Sequence, residues 1–382
     1  MSVDNTPLMP VSVIGAGCAG LSLAARAAEL PNHRISLIAP HGETPADHIW
    51  GFWAMTWLQA ATSAARTQWT QWRIISADHN ILHRSDTHPY CAIHRHCWLQ
   101  ECEKKARANG VPFEPELVVQ APVQQILDSR PPPVPDGMML QHFVGWEVTA
   151  PAGSFDPTTA ILMDYRCDQS QGMHFIYCLP FSDCQALIES TLFSPELLPA
   201  GFYETAISDY VKMICKLPEY EVSRRESGVI PLGVLGRHDP GLAGIGANGG
   251  AIRPSSGYAF SFIQKQIAHA VTHAVAGKPL PVGVPHSAFE LWMDRIFLAV
   301  LRRRPDLAPH IFTAMAAALT GDEFAIFLSG EEQMEVAISE LRRVLVPQGR
   351  LVSCSGVIPD ETRRLIFPET HWKWLRDGTD DL

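Results

Sequence analysis

A chain of 382 residues with 46% apolar and only 18% charged side chains is long enough for two or three packed domains and too apolar to be disordered. Its formal charge of −10 argues against nucleic acid as a main partner, and no stretch has the uninterrupted apolar length of a membrane span. Nine cysteines without a repeating spacing, and a strand pattern that starts by Val11 with no secretory leader before it, predict reduced thiols in a cytoplasmic protein.

Val11–Ile14 reads as an apolar strand, followed by GAGCAG and the helix-forming run LSLAARAAEL. Pro31 ends that helix and Arg34–Ile38 reads as the next strand. Gly15, Gly17 and Gly20 thus form G-x-G-x-x-G between a strand and a helix. The first glycine permits a tight turn and the second lets the backbone approach a pyrophosphate. The third lets helix and strand pack closely, while the helix N-terminus offers N–H groups to the phosphates. The acid that ends the second strand of such a unit, and holds a ribose, is missing: Ala39 and Pro40 stand there, and Glu43 is the nearest acid. Another group must hold the ribose, or the dinucleotide is held less tightly.

Cys91, His94, His96, Cys97 and Cys102 include spacings that suit zinc. The segment continues as an amphipathic helix through Lys105, and no second ligand pair closes the site, so no metal is expected. Ser129–Gly137, with Pro131, Pro132, Pro133 and Pro135, reads as an extended loop. Trp146 to Phe193 is β-rich, with FIYCLP and ALIESTLF forming an antiparallel hairpin through Ser182–Asp183. Residues 204–216 read as a helix.

Leu242–Gly246 reads as a short strand leading into GIGANGGAIRPSSGYAF. Gly244, Gly246 and Gly249 repeat the G-x-G-x-x-G spacing, but Pro254 and Ser255 follow and no further strand comes at the right distance, so this is no second dinucleotide fold. The run predicts a glycine loop, with Ser255 or Ser256 capping a helix to Ala276. Gly246, Gly249, Gly250, Pro254, Ser255 and Gly257 would then lie against a flat ligand, with the helix dipole aimed at it. Beyond Pro285 the periodicity predicts helices over 286–304, 307–320 and 331–345. The first carries Trp292, Met293, Phe297 and Leu298 and ends in Arg302, Arg303 and Arg304. Such a helix suits an anionic membrane surface or the core with a solvated basic end.

These elements predict an α/β fold with a Rossmann-like dinucleotide-binding unit built on the G-x-G-x-x-G turn. Its dinucleotide domain is discontinuous (10–145 and 225–280), an antiparallel substrate-binding β region covers 146–224, and a helical C-terminal region covers 281–382. GAGCAG, HIWGFW, MDYR, FIYCLPFSDCQALIESTLFSP, ESGVIPL and IGANGGAIRPSSGYAF occur in that order. The string, from about residue 11 to about residue 345, resembles the flavin-dependent lycopene cyclases, the bacterial beta-cyclases foremost. The resemblance implies FAD, reduced by NAD(P)H but not turned over, and lycopene or related linear carotenoids as substrate. It implies a catalytic acid at Glu189, in Leu187-Ile188-Glu189-Ser190-Thr191, with the family's second acid replaced by Ser190.

Cyclisation of a polyene starts by protonating a terminal double bond. It needs a proton donor, a wall that stabilises a cation, and exclusion of water. Burial would keep Glu189 protonated near neutrality. Trp50, Phe52, Trp53, Phe175, Tyr177 and Tyr258 are candidates for the wall, although each also suits ordinary core packing. The apolar substrate implies peripheral association with a membrane. Two other readings stay open: another flavoprotein, such as a monooxygenase or isoprenoid reductase, and a non-catalytic carotenoid-binding relative.

Overall fold

Strands rich in valine, isoleucine and leucine lie next to one another wherever both of their faces can be covered. The computed structural model describes residues 8–39, 47–117 and 124–330; Glu43 and the helix expected over 331–345 lie outside them. Three sheets organise the described residues. The first is parallel and contains β1 (Met9–Ile14), β2 (His33–Ile38), β8 (Phe113–Glu114), β9 (Gln125–Asp128) and β15 (Ala243–Gly244), in the order β15-β9-β1-β2-β8. Val11, Val13, Leu37 and Leu127 in it are fully buried, as expected of parallel strands covered on both faces.

The second sheet has the order β14-β10-β13-β12-β11-β5-β6. It comprises β5 (Gln71–Ile75), β6 (Asn80–Arg84), β10 (Met139–Thr149), β11 (Thr159–Asp164), β12 (Met173–Pro180), β13 (Gln185–Ser194) and β14 (Glu221–Leu232). Its pairs are antiparallel except β11 with β5. The hairpin expected from FIYCLP and ALIESTLF is β12–β13. The sheet also draws strands from segments before and after 146–224. A small antiparallel sheet of β3 (Ile49–Trp53), β7 (Tyr90–His94) and β4 (Thr67–Trp69) accompanies these two.

The second sheet is buried on both sides. One face, including Trp146, Ile176, Cys178 and Ile188, packs under Ile207, Tyr210 and Val211. Ile207 belongs to helix α4 (Ala200–Asp209), and a π-helical turn, Tyr210–Ile214, continues it. The other face joins the main core with Phe175, Leu187 and Phe193.

Several helices differ from expectation. α1 spans Cys18–Ala25 and gives way to a 3-10 turn, Ala27–Glu29. α2 (Gln59–Ser63) is short, and α3 (Arg95–Ala108) is the helix expected after the cysteine–histidine cluster. α5 (Phe260–Thr272) starts four residues later than Ser256. Gly257 has φ +70°, and the bonds from Arg253 N to Tyr258 O and from Gly257 N to Arg253 O, each 2.9 Å, close a turn there instead. The helix is preceded by Ala259, with no side-chain cap, so neither Ser255 nor Ser256 caps it.

α6 (Ala288–Arg303) and α7 (Ala308–Ala318) match two expected helices. α8 (Gly321–Ser329) was not expected. Its signal was present: Thr320 and Glu323 form a reciprocal capping box.

Candidate active site

The Gly15–Gly20 turn divides its tasks as its spacing predicts. Gly15 has φ +103°, and a Cβ there would lie 2.5 Å from Ser129 Oγ. That hydroxyl donates to Ile14 O at 2.7 Å. A side chain at Gly20 would strike the carbonyl oxygen of Gly15. At Gly17 an added Cβ would meet no atom of the described residues within 4 Å. Gly17 is also the N-cap of α1, which has no side-chain cap and no acid in its first turn. The first-turn N–H donors therefore face open space with a positive end of the dipole, which suits a pyrophosphate. Arg95, at the start of α3, adds positive charge close by; it opposes the burial that pushes the Cys18 thiol up to about 12.

Ala39 at the end of β2 leaves the ribose position without an acid on that strand. The neighbouring strand β8 carries an acid level with the end of β2. Glu114 pairs with Ile38, and Ala39 N donates to Glu114 O at 2.8 Å.

The second glycine run docks on the first. A Cβ on Gly246, at φ +68°, would come within 2.5 Å of Ala19 Cβ in α1. Gly249 faces Gly244 O and Gln266 Nε2, and Gly250 faces Val284, so these two glycines let the loop close on the protein. Pro254, Ser255 and Gly257 lie in a turn held by a buried ion-pair group. Arg253 donates to Glu290 at 2.8 Å and to Asp294 at 2.7 Å, and Ser255 Oγ donates to Asp294 at 2.7 Å. A Cβ on Gly257 would lie 2.7 Å from Gln141 Oε1. The turn therefore covers the face of β10 that carries Gln141, Phe143 and Gly145.

That face holds the acid. Alternation along β13 puts Glu189 and Thr191 on it and sends Ser190 to the other side, where Ser190 Oγ pairs with His174 Nε2 at 2.8 Å. Ser190, which stands where the family has its second acid, thus lies outside the site. Glu189 sits opposite Tyr177 on β12 and Gly145 on β10. It is 8% exposed and accepts from Thr191 Oγ1 at 2.7 Å. Burial, with the nearby Glu226 charge as the next cause, pushes its carboxyl up to about 8. These surroundings favour its protonated form.

Glu226 is the acid that sequence reasoning missed, although it opens the ESGVIPL segment. It pairs with Gly145 from β14 as Glu189 does from β13. A Gly145 side chain would meet Glu226 Cγ at 3.0 Å and Glu189 Cβ at 3.5 Å, so both acids lean over the space that glycine leaves. Burial raises Glu226 to about 7, opposed by the charge and hydrogen bond of Arg224 and by the N–H of Ile49.

The aromatic candidates divide by strand parity. Trp50 and Phe52 turn toward Phe260 of α5, with ring centroids 4.9 and 5.2 Å apart. Trp53 turns the other way, to Tyr90 at 5.0 Å and Tyr258 at 5.7 Å. Phe175 and Tyr177 share an edge contact at 5.2 Å on the Glu189 face. Tyr90, not expected from sequence, joins Tyr177 and Tyr258 around Glu189. Desolvation raises all three phenols, Tyr258 to about 12. The structure therefore gathers Trp53, Tyr177 and Tyr258 with Glu189, while Trp50 and Phe52 belong to the side nearer α3 and α5.

The histidine–cysteine cluster is an ion-pair centre. Cys91 and Cys102 are buried, facing the core. Asp47 instead joins His94 at 3.0 Å and His96 at 2.7 Å. The three ligand atoms lie within 4.8 Å of one another. Yet Arg66 lies 3.0 Å from His94 Nε2 and Arg224 lies 3.7 Å from Asp47, and these guanidinium charges oppose a bound cation. Burial works upward on Asp47, but the His96 N–H and the two imidazoles hold it down at about 2.

Among solved structures, a geranylgeranyl bacteriochlorophyll reductase-like protein from Thermoplasma acidophilum matches with a TM-score of 0.59 at 13% identity, covering 92% of this chain and all of the other. A flavin-dependent brominase matches with a TM-score of 0.50 at 14% identity, covering 95% and 99%. The fold class is the Rossmann-like flavoprotein fold with an antiparallel β region and C-terminal helices.

The sequence narrows this class further. A family model described as lycopene cyclase protein matches residues 10–330, and the chain belongs to that family. It is 25% identical over 242 residues to a lycopene beta-cyclase from Pantoea ananas, covering 56% of this chain and 57% of the relative. It is 30% identical over 185 residues to one from Pseudescherichia vulneris, covering 44% and 45%. The matches thus span about half the length of these curated relatives.

Proposed function

We propose that the protein closes the ends of lycopene, or a related linear carotenoid, into rings by acid-initiated cyclisation without net redox change. The observation that carries this is Glu189: a buried carboxyl group with no ion-pair partner among the described residues, set beside Tyr177, Tyr90 and Tyr258. Its proton would pass to a terminal alkene carbon. Trp53, Tyr177 and Tyr258 then face the cation, each aromatic contributing about 0.5 to 2 kcal/mol in a dry site. The covering turn at Arg253–Tyr258 would exclude water that would otherwise trap the cation.

The open space at Gly17 and the uncapped start of α1 fit a dinucleotide, and the flavin-dependent neighbour supports FAD. Gly15, Gly17 and Gly20 would hold its pyrophosphate, with Glu114 placed to meet a ribose and Gly246 fixing the second loop on α1. When bound in its reduced state, FAD would supply negative charge that stabilises a nearby cation. NAD(P)H would serve as the reductant.

The test is pigment formation in a lycopene-accumulating bacterium, followed by an anaerobic assay with chemically reduced enzyme. Many rings per flavin without NAD(P)H consumption are expected. One NAD(P)H consumed per product would favour the reductase or monooxygenase reading.

We also propose peripheral binding to anionic lipid. Among the described residues no helix is long and apolar enough to cross a membrane. In α6 the acids Glu290 and Asp294 face inward to Arg253, while Trp292, Met293 and Ile296 are half-buried. Arg302 and Arg303 at its end are exposed. Replacing Arg302, Arg303 and Arg304 together by glutamine should weaken co-sedimentation with anionic liposomes, and so should salt. Undiminished sedimentation of the triple variant would count against this surface.

A further inference from the structure

Glu226 is held where Glu189 is free. Ile49 N donates to it at 3.3 Å and Arg224 Nη2 at 2.5 Å. Arg224 is itself fixed by Glu147 at 3.2 Å and faces Asp47. Glu147 is braced in turn by Arg66 at 2.7 Å. Glu189 has only the neutral hydroxyl of Thr191 within hydrogen-bond distance and no ion-pair partner among the described residues. The sheet register then sets the two carboxyl groups on one face, on either side of Gly145. Two carboxylates so placed in a dry site do not both ionise readily, and their surroundings decide which one does. The anchoring selects Glu226 as the ionised member.

We propose that Glu226 is the base of the reaction: it takes the proton that the ring carbon loses and returns it to Glu189. The proposal rests on the cyclase reading and deepens it. The balance closes. The Glu189 O–H bond breaks as a C–H bond forms at the alkene terminus. Ring closure forms a C–C bond from a neighbouring double bond. A C–H bond on the ring then breaks, its electron pair restores a double bond, and its proton binds Glu226. Transfer from Glu226 to the Glu189 carboxylate resets the pair. No electron is gained or lost, and no proton is exchanged with water in net terms. Cyclisation needs one acid and one base, and Gly145 is the residue that lets two strands deliver both to one place.

The charged and titratable groups around the pair are Arg224 on β14, Asp47 ahead of β3, Tyr177 on β12, Tyr90 on β7 and Tyr258 in the covering turn. Activity should fall as pH rises through the ionisation of Glu189, giving an alkaline limb. Glu226→Gln removes the neighbouring charge that raises Glu189, so that limb should move to lower pH.

The experiment compares parent, Glu226→Gln and Glu226→Asp as flavin-loaded, reduced enzymes on lycopene from neutral to alkaline pH. Glu226→Gln should lose a factor of about 10² to 10⁴ in rate and shift its alkaline limb downward. Glu226→Asp should recover part of the rate and keep the parent's limb. A Gln variant within a few-fold of the parent, or one that is slow with an unmoved limb, overturns the proposal. Should the Gln variant fail to hold flavin, the Asp variant decides. Its carboxylate is drawn back by one methylene, so a parent-like rate overturns the proposal and a reduced rate with the parent's limb supports it. A parent that forms no cyclic product at any pH ends the cyclase reading and this proposal together. A cyclising parent matched by its Gln variant ends this proposal alone.

Discussion

Glu189→Gln is expected to lower ring formation by a factor of about 10² to 10⁴, the usual contribution of a placed general acid, while folding and flavin content survive. Glutamine keeps the volume of glutamic acid, and its amide oxygen can accept the Thr191 hydroxyl now 2.7 Å from Glu189. It carries no transferable proton. Glu226 does not replace the lost acid, because its carboxyl group, on β14, is tied to Arg224 and Ile49 N and does not stand where Glu189 does. Glu189→Asp should retain a trace of activity, since the proton remains but sits one methylene too far back. Pigment formed per mole of flavin-loaded enzyme is the measurement. A Gln variant that cyclises lycopene within a few-fold of the parent would sink the mechanism.

The same substitution makes a second readout independent of activity. Glu189 binds its proton more tightly in the folded chain (about 8) than at its ordinary value of 4.5. Its contribution to stability is therefore complete below the lower value and is lost as pH rises through the higher one. Glu189→Gln removes that loss. The variant should gain in thermal stability relative to the parent as pH is raised across this window. A constant difference between the two proteins would mean that Glu189 is not protonated in the folded state.

The glycine turn was legible in the sequence because its whole logic is local: one strand, one turn and one helix lie within a few residues of each other. Glu189 was legible through a contiguous motif. Glu226 was not, although its segment was noted, because its place depends on the pairing of three strands far apart in sequence and on a glycine in the middle one. Neighbours in a strand point to opposite faces, so Ser190 could not stand beside Glu189. The same parity separates Trp50 and Phe52 from Trp53. Ser255 misled for a different reason. It has the chemistry of a helix cap, but its hydroxyl is taken by Asp294, a partner supplied by α6 and invisible to any local pattern. Local rules thus placed the elements, and long-range pairing decided which side chains meet.

Gly17→Leu is expected to abolish flavin retention while leaving the fold intact. Each glycine of the turn makes a different prediction, which is what gives the comparison its force. At Gly20 a side chain would run into the Gly15 carbonyl, and at Gly15 it would need a left-handed backbone as well as the space of Ser129 Oγ. Variants at these two positions should unfold or express poorly, and their loss of flavin would say little about binding. At Gly17 the backbone is extended, at φ −85°, and none of the described residues lies within 4 Å of an added Cβ. Leucine is therefore tolerated by the protein itself. Its side chain would occupy the space into which the first-turn N–H groups of α1 point, and an apolar group there would displace a pyrophosphate and leave those donors unpaired. The purified variant should show far-ultraviolet circular dichroism close to that of the parent, a reduced melting temperature reflecting the missing ligand, and no flavin absorbance. Added FAD should raise the melting temperature of apo parent and not that of apo Gly17→Leu. If the leucine variant is purified with as much FAD as the parent, the pyrophosphate does not sit at this turn, and the dinucleotide would have to be sought elsewhere on the carboxyl edge of the parallel sheet.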